Sequence, residues 1–132
     1  MKSYDLPTPS HQAFVNITSK VSEAVRDSEV QRGACIVFVP HTTAGVTINE
    51  NADPDVPADI LDALERAVPW QAHYAHTEGN AAAHVRASIM GSSCHVPIEG
   101  GRLQLGTWQG IFFAEFDGPR RRKFWVQVIS AT

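Results

Sequence analysis

The segment 107–116 constrains this chain more than any other. As a strand it puts Trp108, Phe112 and Phe116 on one face and Ile111 and Phe113 on the other, because successive side chains alternate. A strand that is apolar on both faces is buried on both. A single sheet with helices on one side leaves such a face uncovered, so either the sheet curls on itself or another subunit covers it, and we expect both. With 132 residues, 43% of them hydrophobic, the chain has material for one core and reads as a single domain over 1–132.

The remaining elements follow from periodicity and punctuation. Residues 13–17 read as a strand, and Thr18 or Ser19 caps a helix with Val21, Ala24 and Val25 inward, stopping near Gly33. Residues 34–39 form a buried strand ended by Pro40, and 45–49 a second, with the polar turn His41-Thr42-Thr43 held between them. After a loop, Asp55 caps a helix carrying Ile60, Leu61, Leu64, Ala67 and Val68, with Asp62 and Arg66 paired outside. A long loop, 69–79, leads to a third helix over about 80–90, stopped by Gly91, with Val85 and Ile89 as its buried stripe. The last third is β: a hairpin of 94–98 and 102–106 around Glu99-Gly100-Gly101, then a second of 107–116 and 123–129 around Asp117-Gly118-Pro119. In that last region packing accounts for Trp108.

Several function classes drop out. A formal charge of −3 gives no global field for nucleic acid or an anionic membrane, so an anionic ligand needs a local cluster. The longest apolar run, 34–39, is far below the roughly 18 to 20 residues of a membrane helix, and residues 1–5 lack a signal-peptide core, so the expectation is a cytoplasmic protein. The two cysteines, Cys35 and Cys94, form no CxxC and read as buried thiols.

The polar residues fall into clusters. His41, Thr42 and Thr43 with Asn49, Glu50, Asn51 and Asp53 put an imidazole, hydroxyls, carboxylates and amides beside buried strands, where polar ligands are bound; equally, these groups can serve turn backbone and cap the next helix. His76, Glu78 and Asn80 precede a helix on which His84 and Ser88, four apart, share a face, and the spacing matches no closed zinc motif. Gly106-Thr107-Trp108-Gln109-Gly110 suggests close backbone approach and leaves Gln109 unaccounted for. Arg120-Arg121-Arg122-Lys123 is a charged edge or an anion site, and alternation allows at most two of the four to meet one phosphate.

His41-Thr42-Thr43-Ala44, the run from Asn49 to Pro54, Tyr74, His76, Glu78-Gly79-Asn80, His84, Ser88, Gly91-Ser92, Pro97, Gly101, the run from Gly106 to Ile111, and Glu115 together resemble the YjbQ family, also called secondary thiamine-phosphate synthases. The resemblance runs from about residue 10 to the C-terminus. It implies an α+β fold with a largely antiparallel sheet curled into a sandwich or barrel-like shape, about three helices packed on it, and a homotrimer with pockets between subunits. It also implies weak thiamine phosphate synthase activity, joining a pyrimidine diphosphate to a thiazole phosphate with release of pyrophosphate. Such chemistry calls for a divalent metal, zinc or magnesium, and cations on the leaving group. On this footing His41, His76 and His84 are metal candidates, and His41, Glu50, Asp53, His84 and Gln109 catalytic ones. Thr42, Thr43, Asn49, Glu78, Asn80, Ser88 and Arg121 are candidates for holding the phosphorylated substrate. One departure stands out: where the family commonly has an Asp between Asn80 and His84, this chain runs Ala81-Ala82-Ala83. The reading from another class is a non-catalytic trimeric binding module for a phosphorylated metabolite or metal.

Overall fold

A computed structural model of the chain describes residues 1–131. In chain order its elements are β1 (Lys2–Pro7), β2 (Ala13–Asn16), α1 (Thr18–Ser28), β3 (Arg32–Phe38), β4 (Ala44–Glu50), α2 (Asp55–Ala67), α3 (Ala81–Met90), β5 (Ser93–Glu99), β6 (Arg102–Leu103), β7 (Gln109–Glu115) and β8 (Arg121–Ser130). The strands make two sheets, ordered β1-β8-β3-β5-β6 and β2-β7-β4, with antiparallel pairing throughout. The fold is α+β, with three helices on a curled antiparallel framework.

The two-faced strand is covered by two different layers. Ile111 and Phe113 of β7 point into a core built from Val46 of β4, Cys35 and Val37 of β3, Val96 of β5, Phe124 and Val126 of β8, and the Val21, Ala24 and Val25 face of α1. Each fully buried Val, Ile or Phe among them contributes about 1.5 to 3 kcal/mol. On the far side of β7, Ala114 packs with Phe116 against Ala83 and Ala87 of α3, joined by Leu61 and Leu64 of α2. Among the described residues the larger sheet has no such cover on its outer face, where Ala34, Ile36 and Phe38 of β3 and Trp125 and Ile129 of β8 stay half-buried or exposed.

Several expectations are corrected. β7 and β8 are not a hairpin: β7 pairs with β2 and β4, while β8 pairs with β1 and β3, so residues 116–120 carry the chain from one sheet to the other. A strand needing cover on both faces works as the middle of a small sheet inside a sandwich, and its sequence neighbour is then free to build the opposite layer. The third helix turns the other way from its expected stripe, with Val85 39% and Ile89 60% exposed while Ala82, Ala83 and Ala87 are buried. Alanines let the helix axis approach the sheet closely, and the two branched residues face outward. The first helix ends at Ser28, before Gly33, because Gly33 belongs to β3: a Cβ there would lie 1.9 Å from the Ile129 carbonyl oxygen of β8. Trp108 sits in the turn before β7 and is 64% exposed, so packing does not account for it. β6 is two residues long rather than five, and β1, whose alternation of Lys2, Tyr4 and Leu6 is only weakly apolar, was not legible in the sequence. The exposed Arg66–Asp62 pair forms as expected, at 3.4 Å.

Candidate functional site

At one end of the sandwich the chain passes between the sheets through residues 8–12, through Pro40–Thr43 and through residues 116–120, and these crossings build the site. Glu115, the last residue of β7, is fully buried, and alternation along β8 sends Arg122 inward beside it. Arg122 donates through Nε to Glu115 Oε1 at 2.8 Å, through Nη2 to Oε2, and through Nη2 to Thr43 Oγ1 at 2.8 Å. Thr8 Oγ1 and the Asp117 N–H add donors to the same carboxylate at 2.7 and 3.0 Å. Burial alone would push the Glu115 carboxyl up, but these donors hold it below the usual range, so it is a fixed anion.

Around this pair opens a cleft of about 600 Å³ whose lining includes His41, Thr42, Thr43, Glu78, Asn80, His84, Arg120 and Arg122. An adjoining hollow of about 450 Å³ adds Ser88. His41 Nε2 accepts the Lys123 backbone N–H at 2.9 Å. Burial, then the Arg122 charge, moves its pKa below the ordinary histidine value. A neutral ring accepting at Nε2 carries its proton on Nδ1, so it offers a donor and no lone pair there. His76 and His84 meet edge to face with centroids 5.1 Å apart, and Glu78 Oε1 lies 3.9 Å from His76 Nε2. Asn80 donates to Asp117 Oδ2 at 3.0 Å and leaves its own Oδ1 buried without a partner among the described residues. Ser88 Oγ donates to the His84 carbonyl at 2.9 Å, within its own helix.

The other candidates lie at the far end of β4, whose seven residues span roughly 20 Å. Glu50 Oε2 accepts the Ala52 N–H and Asp53 Oδ1 the Asp55 N–H, each at 2.9 Å, and Asn49 Oδ1 accepts the Glu50 N–H at 2.8 Å. Gln109 Oε1 accepts the Gly106 N–H at 2.7 Å. Asn16 bonds to Asn51 through its amide and to Thr18 through its oxygen. In the Asn49–Asp53 part of the cluster these bonds serve turn backbone, while its His41, Thr42 and Thr43 part lines the cleft. A hollow of about 310 Å³ beside it shares no residue with the histidine cleft.

Arg121 is on the opposite face from the cleft, exposed on the outer side of β8. Arg120 and Arg122, two apart and so on one side, are the guanidiniums that reach it. Arg120 is itself engaged, through Nε with the Asp117 carbonyl at 2.7 Å and through Nη2 with Asp117 Oδ2 at 3.0 Å. Sequence reasoning named Arg122 only as one of a run of four cations, of which Arg121 was preferred, and Asp117 only as a turn residue. The available signal was a charged residue, Glu115, inside a strand apolar on both faces, which must find a buried counter-charge. As for a metal, among the described residues no three His, Cys, Asp or Glu side chains are grouped to hold one. With the His41 lone pair already engaged, His76 and His84 supply two nitrogens, which does not make a complete single-chain site.

Among the described residues no helix is long and apolar enough to cross a membrane. The profile of the family described as UPF0047 protein YjbQ-like matches residues 2–131. UPF0047 protein MJ1081 of Methanocaldococcus jannaschii is 48% identical over 126 residues, covering 96% of this chain and 91% of that protein. UPF0047 protein YugU of Bacillus subtilis is 45% identical over 130 residues, 98% of each. Among solved structures, an uncharacterised YjbQ/UPF0047 family protein of Clostridium acetobutylicum superposes with a TM-score of 0.96 at 54% identity, covering 98% of this chain and 100% of that one. A YbjQ-like protein of unknown function from Sulfolobus solfataricus gives 0.94 at 32% identity, covering 98% and 95%.

Proposed function

Since this chain belongs to the YjbQ-like UPF0047 family, we propose that it is a cytoplasmic enzyme acting on phosphorylated small molecules, with thiamine phosphate synthesis as the named reaction. In that reaction a thiazole phosphate is joined to a pyrimidine diphosphate and pyrophosphate leaves. The observation that carries the reading is that His41 and His84 line one cleft with Arg122 of the fixed Glu115–Arg122 pair, and that His76 packs its ring on His84. Imidazoles are the groups best matched to proton transfer near neutral pH. His84 and His76 are the acid/base pair, and His41 presents its Nδ1–H to a phosphate oxygen. Arg120, whose side chain is 53% exposed, is the cation that meets the leaving group, by exchanging its Asp117 contacts for phosphate oxygens.

The reading takes the chain as a homotrimer. It is supported by the open apolar face of the larger sheet, which reaches the cleft at Phe38. A second copy on that face would close the mouth of the cleft and supply groups that one chain lacks. A divalent ion, zinc or magnesium, enters only with ligands from the substrate or a second copy, and no step here is routed through it.

A second reading, a non-catalytic binding module, is favoured by two observations. Both guanidiniums at the cleft are held by carboxylates of the same chain. Ala82, at the position where the resembled family commonly has Asp, is fully buried, so no carboxylate is supplied from there.

The test is pyrophosphate release from the two thiamine precursors, with elemental analysis before and after chelation. Release that His84→Ala abolishes supports the enzyme. Tight binding of either precursor without release moves the assignment to the binding module.

A further inference from the structure

Arg86 is a buried cation that the proposed chemistry does not use. It stands on α3 two residues after His84, is 2% exposed, and among the described residues has no carboxylate as a hydrogen-bond partner. Nε and Nη2 donate to the Val68 carbonyl at 3.1 and 2.8 Å, and Nη1 donates to Gln12 Oε1 at 3.2 Å. The guanidinium carbon lies 5.7 Å from the centre of the Trp70 ring, whose edge contact with His11 is 4.5 Å between centroids. Val68 is the C-terminal cap of α2, where unpaired carbonyls and the helix dipole favour a cation. The missing counter-ion is thus replaced by a helix end, an amide oxygen and an aromatic face.

What this arrangement holds is the loop 69–79. The helix before it, α2, has no fully buried residue and docks through half-buried Leu61 and Leu64. From residue 71 to 79 every residue except Tyr74 is exposed, and the Tyr74 bonds, to Pro69 and Ala72, stay inside the loop. The loop is fastened at its start by Arg86 on Val68 and Trp70, and at its end by Asn80 on Asp117. Between these points its ring contact with the body is that of His76 on His84. We infer that Arg86 is a positioning residue: by tying Val68 and Trp70 to the helix that presents His84, it sets the loop so that His76 stands against His84. The importance of that pair rests on the proposed function, but the latch itself does not.

The test uses the full chain with Arg86→Met and Arg86→Lys, read by backbone hydrogen exchange and by nuclear Overhauser contacts between the His76 and His84 rings. In Arg86→Met the core strands keep their protection, the Val68 and Tyr74 amides, hydrogen-bonded to the Leu64 and Ala72 carbonyls, exchange about tenfold faster or more, and the ring contact disappears. Arg86→Lys, with one ammonium able to reach the Val68 carbonyl, restores part of both. An unchanged ring contact, or faster exchange spread evenly over the whole chain, would overturn the inference and leave Arg86 as core packing. Should Arg86→Met fail to fold, Trp70→Leu removes the aromatic face alone: faster loop exchange with a weakened ring contact supports the latch, and no change overturns it. Absence of pyrophosphate release by the unaltered protein would defeat the proposed reaction and not these measurements.

Discussion

His41 Nε2 accepts the backbone N–H of Lys123 at 2.9 Å, joining the crossing between β3 and β4 to the start of β8. The bond spans 82 residues of sequence and holds the imidazole in the lining of the cleft that Arg122 also lines. It also decides the chemistry of the ring, because an imidazole that accepts at Nε2 is neutral and donates from Nδ1.

Stability therefore depends on His41 staying neutral. Its folded pKa lies below the ordinary 6.5 because of burial and the Arg122 charge, so below about pH 6.5 the unfolded chain takes up the proton more readily. The contribution is complete above that pH and is lost as pH falls through the folded value. His41→Gln keeps an acceptor for the Lys123 N–H and removes the titration. Urea midpoints at pH 5 and 7.5 should differ less for the variant than for the parent, and parallel behaviour would contradict the assignment.

The Glu115–Arg122 pair is expected to be costly to break and cheap to replace. Glu115→Gln leaves a buried guanidinium without its anion and should destabilise by about 3 to 5 kcal/mol at neutral pH. The double change Glu115→Gln with Arg122→Met should cost clearly less than the two single changes added together, as measured by a denaturation cycle. Because the Glu115 carboxyl is held below its usual range, its contribution is present above that range and lost as pH falls through the folded value. A cost under about 1 kcal/mol for Glu115→Gln would mean that the pair does not organise the site.

Gly110 lets β7 pass the distal loop. A Cβ there would sit 2.8 to 2.9 Å from the Asn51 side chain. Gly110→Ala must push Asn51 off Asn16, and overpacking of this kind costs about 1 to 3 kcal/mol. The thermal midpoint should fall while the His76–His84 ring contact, at the other end of the molecule, stays as it is.

If the open sheet face is where copies meet, a charge on it should disperse them. Phe38 and Trp125 stack there with centroids 5.7 Å apart, and Ile129 lies on the same face. Trp125→Glu or Ile129→Glu should shift the sedimentation mass from about three chains to one without unfolding the chain, since neither side chain is in the core. A monomeric parent protein would remove the trimer from the proposal.

Much of the fold was legible because it rests on local pattern. The two-sided apolar run at 107–116 required two covering layers, the alternation of β3, β5 and β8 follows from period two, and the Val21, Ala24 and Val25 face of α1 follows from period 3.6. Local pattern failed where a neighbour in space set the rule. Val85 and Ile89 look like a core stripe until the alanines beside them allow the closest approach to the sheet, and Gly33 looks like a helix stop until β8 needs the space. In the site, His41, Thr43, Glu78, Asn80 and His84 were named from sequence, and they do share one cleft.

By itself the sequence determined the class of fold, the family, and the kinds of side chain available for chemistry, because periodicity and motif order are properties of the chain alone. Only the tertiary structure decided that Arg122 and not Arg121 faces the cleft, that Glu50 and Asp53 serve turn backbone far from the histidines, and that His41 spends its lone pair on Lys123. Those outcomes depend on which face of a strand meets which layer, and on which buried polar group finds a partner, and both are fixed only when distant segments close together.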